Sequence, residues 1–278
     1  MYWFFNCNNY HRKAIKALVY SAFKYNPHFK PVCIWDEPVE LWPDLKEWLE
    51  DKGIIVHKYQ SSLGDKINSL SKREYFDFTK LGCDSYMELN KEGLNGMWAK
   101  ADIPKMCEDL GIKDDFVLAT DPDCMFVAEY DLDLKPEIIA AAPEEEPYRE
   151  WISGGIYIFN VKRCLEDRYD FHKWVLRNYR AIGYVENISY MRYYGYDNIT
   201  HISPDWNYKP WWEKERDYLV SPEDRAIFRS TPKLIHFQGV SKPWLNPDMP
   251  ENTDMKLYCD MWHDFVKLSD EICFKFNS

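Results

Sequence analysis

The chain of 278 residues has no Cys-x-x-Cys pair, no surplus of positive charge and no long apolar run. Its eight cysteines, at 7, 33, 83, 107, 124, 164, 259 and 273, lie far apart. That scatter argues against a zinc layout and against a disulfide-stapled scaffold, and marks them as reduced thiols. Lys and Arg number 35 against 46 Asp and Glu, a formal charge of −11, which excludes a general binder of nucleic acid or anionic membrane. No stretch approaches the ~18 apolar residues of a membrane span. The opening Met1-Tyr2-Trp3-Phe4-Phe5-Asn6 is shorter than the apolar core of about 7–15 residues that a secretory leader carries. A soluble, cytoplasmic setting is therefore expected, and the sequons at Asn187 and Asn198 are chance matches.

Apolar residues, by contrast, make up 46% of the chain, enough for one large domain that buries roughly three quarters of its unfolded surface. Aromatic residues reach 17% while the mean hydropathy is −0.56, so many rings are expected to be half exposed.

Short apolar runs alternate with helix-period segments over the first half, the pattern of α/β layering on a mostly parallel sheet. Strands are predicted at 2–7, 31–35 and 53–59. Helices are predicted at 10–24, where Ala14, Ile15, Leu18, Val19, Ala22 and Phe23 share a face, and at 44–52. Residues 61–96 show no sustained period and read as loop with one short helix. A helix over 97–110 leads to a buried-type strand at 115–120. Further strands are predicted at 138–142, 156–161 and 233–237, with helices at 162–180 and 254–268.

The strand over 115–120 delivers Asp121-Pro122-Asp123 at its C-terminal end, where open α/β sheets bind ligands. Two carboxylates flanking a rigid proline can converge on one hard cation, Mg²⁺ or Mn²⁺; the same tripeptide also suits a turn. A second stretch, His236-Phe237-Gln238-Gly239-Val240-Ser241-Lys242-Pro243-Trp244, ends a strand in an imidazole and supplies an ammonium for phosphate oxygens. Taken singly, each has a bland explanation, as a structural histidine and a surface lysine. A third, Ser153-Gly154-Gly155, opens an apolar strand, either to let a ligand approach the backbone or to make a turn. Upstream, Ala140-Ala141-Ala142-Pro143-Glu144 puts a carboxylate at another strand end.

In this order the stretches resemble glycosyltransferase family 8, the group of glycogenin and the lipooligosaccharide galactosyltransferases. The His-Phe-x-Gly-x-x-Lys-Pro-Trp motif is the specific part, and the resemblance runs to Trp244. It implies a single α/β domain of GT-A type, Rossmann-like with a mixed, mostly parallel sheet, over 1–244, and a short C-terminal helical extension over 245–278. It also implies a retaining transfer of a hexose from a UDP-sugar to a carbohydrate acceptor, with Mn²⁺ or Mg²⁺. Asp121, Asp123 and His236 match metal ligands. Asn8, Tyr10, Lys100, Asp121, Ser153, Gly154, Gly239 and Lys242 match contacts to the nucleotide sugar. Glu186, Asn187 and Glu144 stand nearest the catalytic side chains. Three departures stand out: Lys100 replaces an arginine, Ser153 an asparagine, and Glu186-Asn187 an Asp-Gln pair. From composition, the rings of Trp206, Trp211 and Trp212 are expected to stack on the acceptor.

Two other classes share parts of the pattern. A phosphohydrolase of the haloacid dehalogenase type also sets Asp-x-Asp after a strand, but continues to Thr or Val where Cys124-Met125 stand here. A non-catalytic sugar-binding protein explains the rings and leaves the Asp-x-Asp, His and Lys order unexplained.

Overall fold

The computed structural model describes residues 1–8, 11–35, 42–71, 91–144, 151–179, 181, 185–210, 231–238, 242–245 and 253–276. The chain opens as β1 (Tyr2–Cys7), α1 (Ile15–Tyr25), β2 (Lys30–Trp35), α2 (Pro43–Asp51) and β3 (Ile55–Lys58). There follow α3 (Ser62–Ser71), α4 (Lys91–Ala101), α5 (Ile103–Asp109), β4 (Phe116–Thr120), β5 (Cys124–Phe126), β6 (Ile139–Pro143), β7 (Ile152–Asn160) and α6 (Val161–Asn178). The remainder holds α7 (Glu186–Tyr194), β8 (Thr200–His201), β9 (Leu234–His236) and α8 (Asp254–Glu271).

Seven strands form one sheet in the order β3-β2-β1-β4-β7-β6-β8. Strands β1 to β4 pair in parallel, while β7 runs antiparallel to both β4 and β6. The expected mixed, mostly parallel α/β sheet is the one observed. Because side chains alternate across a strand, each central strand feeds two cores. Trp3, Phe5, Cys33, Trp35 and Leu118 face one core, which α1, α2 and α8 cover. Phe4, Val32, Ile34, Val117 and Ala119 face the other, under α4, α5 and α6.

Two elements depart from expectation. The helix predicted over 97–110 is broken at Asp102, since Pro104 has no N–H to return to the preceding turn. The break is occupied: the buried Asp102 carboxylate accepts from Arg168 Nε and Nη2 at 2.9 and 2.7 Å and from Ser61 Oγ at 2.8 Å. Helix α7 over Glu186–Tyr194 has no counterpart among the predicted elements. Residues 72–90 of the predicted loop lie outside the described residues.

The C-terminal helix packs into the core on the α1 and α2 side of the sheet. Phe265 meets Tyr20 edge-on at 5.4 Å, Trp262 lies 5.8 Å from Trp244, and Phe274 packs on Phe23 at 4.7 Å. The chain then reaches Phe276, whose N–H donates to Lys52 O at 2.9 Å. Gly53, at φ +78°, leaves room for that strap, because a Cβ there would meet Phe276 O at 2.9 Å. Seven cysteines fall among the described residues and none of them pairs with another. Among the described residues no helix is long and apolar enough to cross a membrane. Truncating a buried ring of the strap should cost about 3–5 kcal/mol; urea unfolding of Phe274→Ala is expected to show a loss of that size, and a loss below ~1 kcal/mol would mean the strap is dispensable.

Candidate functional site

The site lies at the carboxyl ends of β1 and β4, beside the point where strand order reverses. Past β4 the chain turns sharply: Asp121 N donates to Gly155 O at 3.1 Å, and Cys124 N to Asp121 O at 3.3 Å. Strand β5 then pairs antiparallel with β9, with Cys124 opposite His236, and Phe237 N donates to Asp123 O at 3.0 Å. A three-residue ribbon thus carries the histidine, 113 positions further on (236 − 123), to the acidic tripeptide.

The orientation of the ring is set from behind. Asn207 Oδ1 lies 2.8 Å from His236 Nδ1; an amide oxygen only accepts, so Nδ1 carries the proton and Nε2 presents its lone pair. That nitrogen sits 3.6 Å from Asp121 Oδ2 and 3.4 Å from Asp123 Oδ1. The other oxygen of each carboxylate is taken by a lysine. Lys100 Nζ lies 2.6 Å from Asp121 Oδ1, 2.8 Å from Glu186 Oε1 and 3.0 Å from Gly154 O. Lys242 Nζ is paired with Asp123 Oδ2 and donates to Phe237 O at 2.5 Å.

These pairs keep the groups charged. Burial alone would raise Asp123, but the Lys242 ammonium holds it well below the usual carboxylate range. Burial would lower Lys100, yet Asp121 and Glu186 hold it above the usual ammonium value. Buried ion pairs seldom repay their desolvation as stability, so the cluster is better explained by what it binds. Two carboxylate oxygens and one imidazole nitrogen, converging and unclaimed by the lysines, form a donor set that suits a divalent cation such as Mn²⁺.

Two adjacent glycines make this approach feasible. A Cβ on Gly155 would collide with Asn207 Oδ1 and His236 Nδ1, and one on Gly154 would fall 2.8 Å from Glu186 Oε1. Of the two readings of 153–155, the turn is not the one found: these residues are extended strand within β7.

Other expected residues take varied places. Ser153 is buried, its Oγ accepting from Gly155 N at 3.3 Å. Asn187 Nδ2 donates to Ile152 O of β7 at 2.9 Å, whereas Glu186 on the same helix holds Lys100. Glu144 N donates to Trp151 O at 2.6 Å and its carboxylate pairs with the buried Lys209. Asn8 Oδ1 accepts the backbone N–H of His11 at 3.0 Å and also meets His11 Nδ1 at 3.0 Å. Trp206, expected to face an acceptor, is 1% exposed and packs edge-on against Tyr130 at 5.5 Å, so its ring belongs to the core. Tyr10, Gly239, Trp211 and Trp212 lie outside the described residues.

Asn207 and His11 are site residues that the motifs do not single out. The signal for Asn207 is its place between two rings of a polar-aromatic stretch, where the rings draw attention first. His11 has no pattern of its own. Its ring lies edge-on to Trp244 at 6.4 Å, and burial, supported by Lys242 and opposed by Asp123, pushes its pKa down to about 4.

No family model and no curated protein matches the chain. Solved structures do match its fold. The galactosyltransferase LgtC with donor and acceptor sugar analogs aligns at a TM-score of 0.66 and 12% identity, over 96% of this chain and 95% of that one. The glycosyltransferase GlyE of Streptococcus pneumoniae TIGR4 aligns at 0.62 and 16% identity, over 97% of this chain and 63% of that one. Mouse xyloside xylosyltransferase 1 aligns at 0.53 and 15% identity, over 90% and 98%. The chain therefore spans under two thirds of GlyE, and half of the bifunctional glycosyltransferase WbbM. The fold is the GT-A fold shared by these glycosyltransferases.

Two outcomes follow. Gly155→Ala should weaken Mn²⁺ binding by about tenfold or more, because the ring that Asn207 orients must move; an unchanged Mn²⁺ titration in a folded variant would contradict this. A histidine whose pKa falls on folding stays neutral while the unfolded chain protonates. Its contribution is therefore complete above about pH 6.5 and is lost as pH falls toward 4. Wild type should lose up to about 3 kcal/mol more than His11→Asn across that window, as urea denaturation at stepped pH would show.

Proposed function

We propose that the protein is a metal-dependent, retaining glycosyltransferase that moves a hexose from a UDP-sugar to a carbohydrate acceptor. The observation that carries this reading is the convergence of Asp121 Oδ2, Asp123 Oδ1 and His236 Nε2, with one lysine on each carboxylate's remaining oxygen. The shared fold of LgtC, solved with donor and acceptor sugar analogs, supports the same class.

Cleavage of a sugar–phosphate bond leaves negative charge on the departing nucleotide. A divalent cation, when bound by Asp121, Asp123 and His236, supplies Lewis-acid stabilisation of that charge. Lys242 and Lys100 are ammonium groups already held at the site, so they can turn from carboxylate to phosphate oxygens without a new charge being buried. Glu186 then keeps Lys100 in place when Asp121 is occupied elsewhere. Asn207 keeps the His236 lone pair aimed, and Asn8 fixes the β1–α1 turn through His11. Glu186 and Glu144 are the carboxylates proposed to face the sugar, with the amide of Asn187 committed to the backbone of β7.

The test is a thermal-shift panel of UDP-, GDP- and TDP-sugars with and without Mn²⁺, since a ligand that binds only the native state raises the melting temperature by mass action. A UDP-sugar should stabilise the protein only when Mn²⁺ is present. Lys242→Ala should weaken UDP binding by about 10- to 100-fold, the value of a charge-assisted contact, and Asp123→Ala should abolish the Mn²⁺ dependence. Equal stabilisation by all nucleotides, or none by any, would sink the proposal.

A further inference from the structure

One side chain of the cation site is left over by this reading. Cys124 is the register partner of His236 across the β5–β9 ribbon, and in an antiparallel pair directly opposed side chains leave the same face. It is buried, with Sγ donating to Gly155 O at 3.5 Å. Ligand atoms of Asp123, Cys124 and His236 all lie within 4.8 Å of one another. A tetrahedral zinc ion, about 2.3 Å from sulfur and 2.0 Å from nitrogen or oxygen, holds its ligand atoms roughly 3.5 Å apart, so a small contraction closes the set. The ribbon that brings in the imidazole therefore brings in a thiol with it.

We propose that Asp123, Cys124 and His236 form a second, thiophilic set of ligands that takes Zn²⁺ and, by using two of the same residues, excludes the hard cation. This rests on the assignment of Asp121, Asp123 and His236 to the hard cation. Softness divides the two modes. Sulfur favours zinc, while Mn²⁺ favours the oxygens that Asp121 contributes. On zinc binding an S–Zn bond replaces S–H, the proton leaves to solvent, and nothing is oxidised or reduced. The transferase would then be held inactive by zinc and restored when zinc is withdrawn.

The probe is Co²⁺ added to the metal-stripped protein, because a cobalt–thiolate bond gives a near-ultraviolet charge-transfer band that oxygen and nitrogen ligands do not. Wild type should show the band, Cys124→Ser should lack it, and Asp121→Asn should keep it. In chelator competition, Zn²⁺ affinity should fall about tenfold or more in Cys124→Ser and change less than about twofold in Asp121→Asn, with the order reversed for Mn²⁺. No band in wild type, or a band that survives in Cys124→Ser, overturns the proposal. A cobalt band intact in Asp121→Asn with Mn²⁺ binding equally intact would support the thiol site while removing the hard-cation assignment.

Discussion

Carboxylates at the inner end of a buried strand have to be neutralised, and the arrangement around Asp121 and Asp123 follows from that need. Each is met by one lysine from a different part of the chain, Lys100 from α4 and Lys242 from beyond β9. Glu186 adds a third carboxylate at Lys100. Three carboxylates against two ammonium groups leave one negative charge in excess where water is scarce. The proposed divalent cation would reverse that sign and let a protein of net charge −11 receive the proposed anionic donor.

Neutralisation alone does not make a site; the distances have to be short as well. Backbone without Cβ at Gly154 and Gly155 lets Glu186, Lys100, His236 and Asn207 crowd onto β7. Strand β7 runs against the direction of β4, so its carbonyl at Gly155 faces Asp121 N and helps to set the turn that presents the acids. The C-terminal helix contributes at a distance, through Trp262 on Trp244, which follows Lys242 by two residues.

The sheet was legible in the sequence because buried strands alternate their side chains between two cores, and both cores are apolar. β1 spans the predicted residues 2–7, and β2, β4, β6, α2, α6 and α8 lie within a few residues of theirs, while α1 starts later than predicted and α4 and β7 earlier. Elements of two or three residues, such as β5 and β8, carry too little periodicity to be bounded in that way, whereas β9 falls inside the strand predicted over 233–237. Helix α7 is obscured because its polar residues, Glu186 and Ser189, are among its buried ones. Trp206 misleads for the opposite reason: a stretch mixing rings with polar groups has the same composition at a core edge as at a sugar-binding surface.

The acids, the imidazole, the lysines and the paired glycines are visible in the chain, because each chemistry narrows the residue types that can supply it. Their order along the polypeptide is likewise visible. Whether they meet is decided by pairing across more than a hundred residues, and only β5 against β9 brings His236 to Asp123. The same pairing sets Cys124 opposite that imidazole, while the bridge between Tyr208 and Ile235 brings in the amide of Asn207 that aims it. Contacts of that kind depend on the register of one ribbon, and register is a property of the packed sheet rather than of any local stretch of residues.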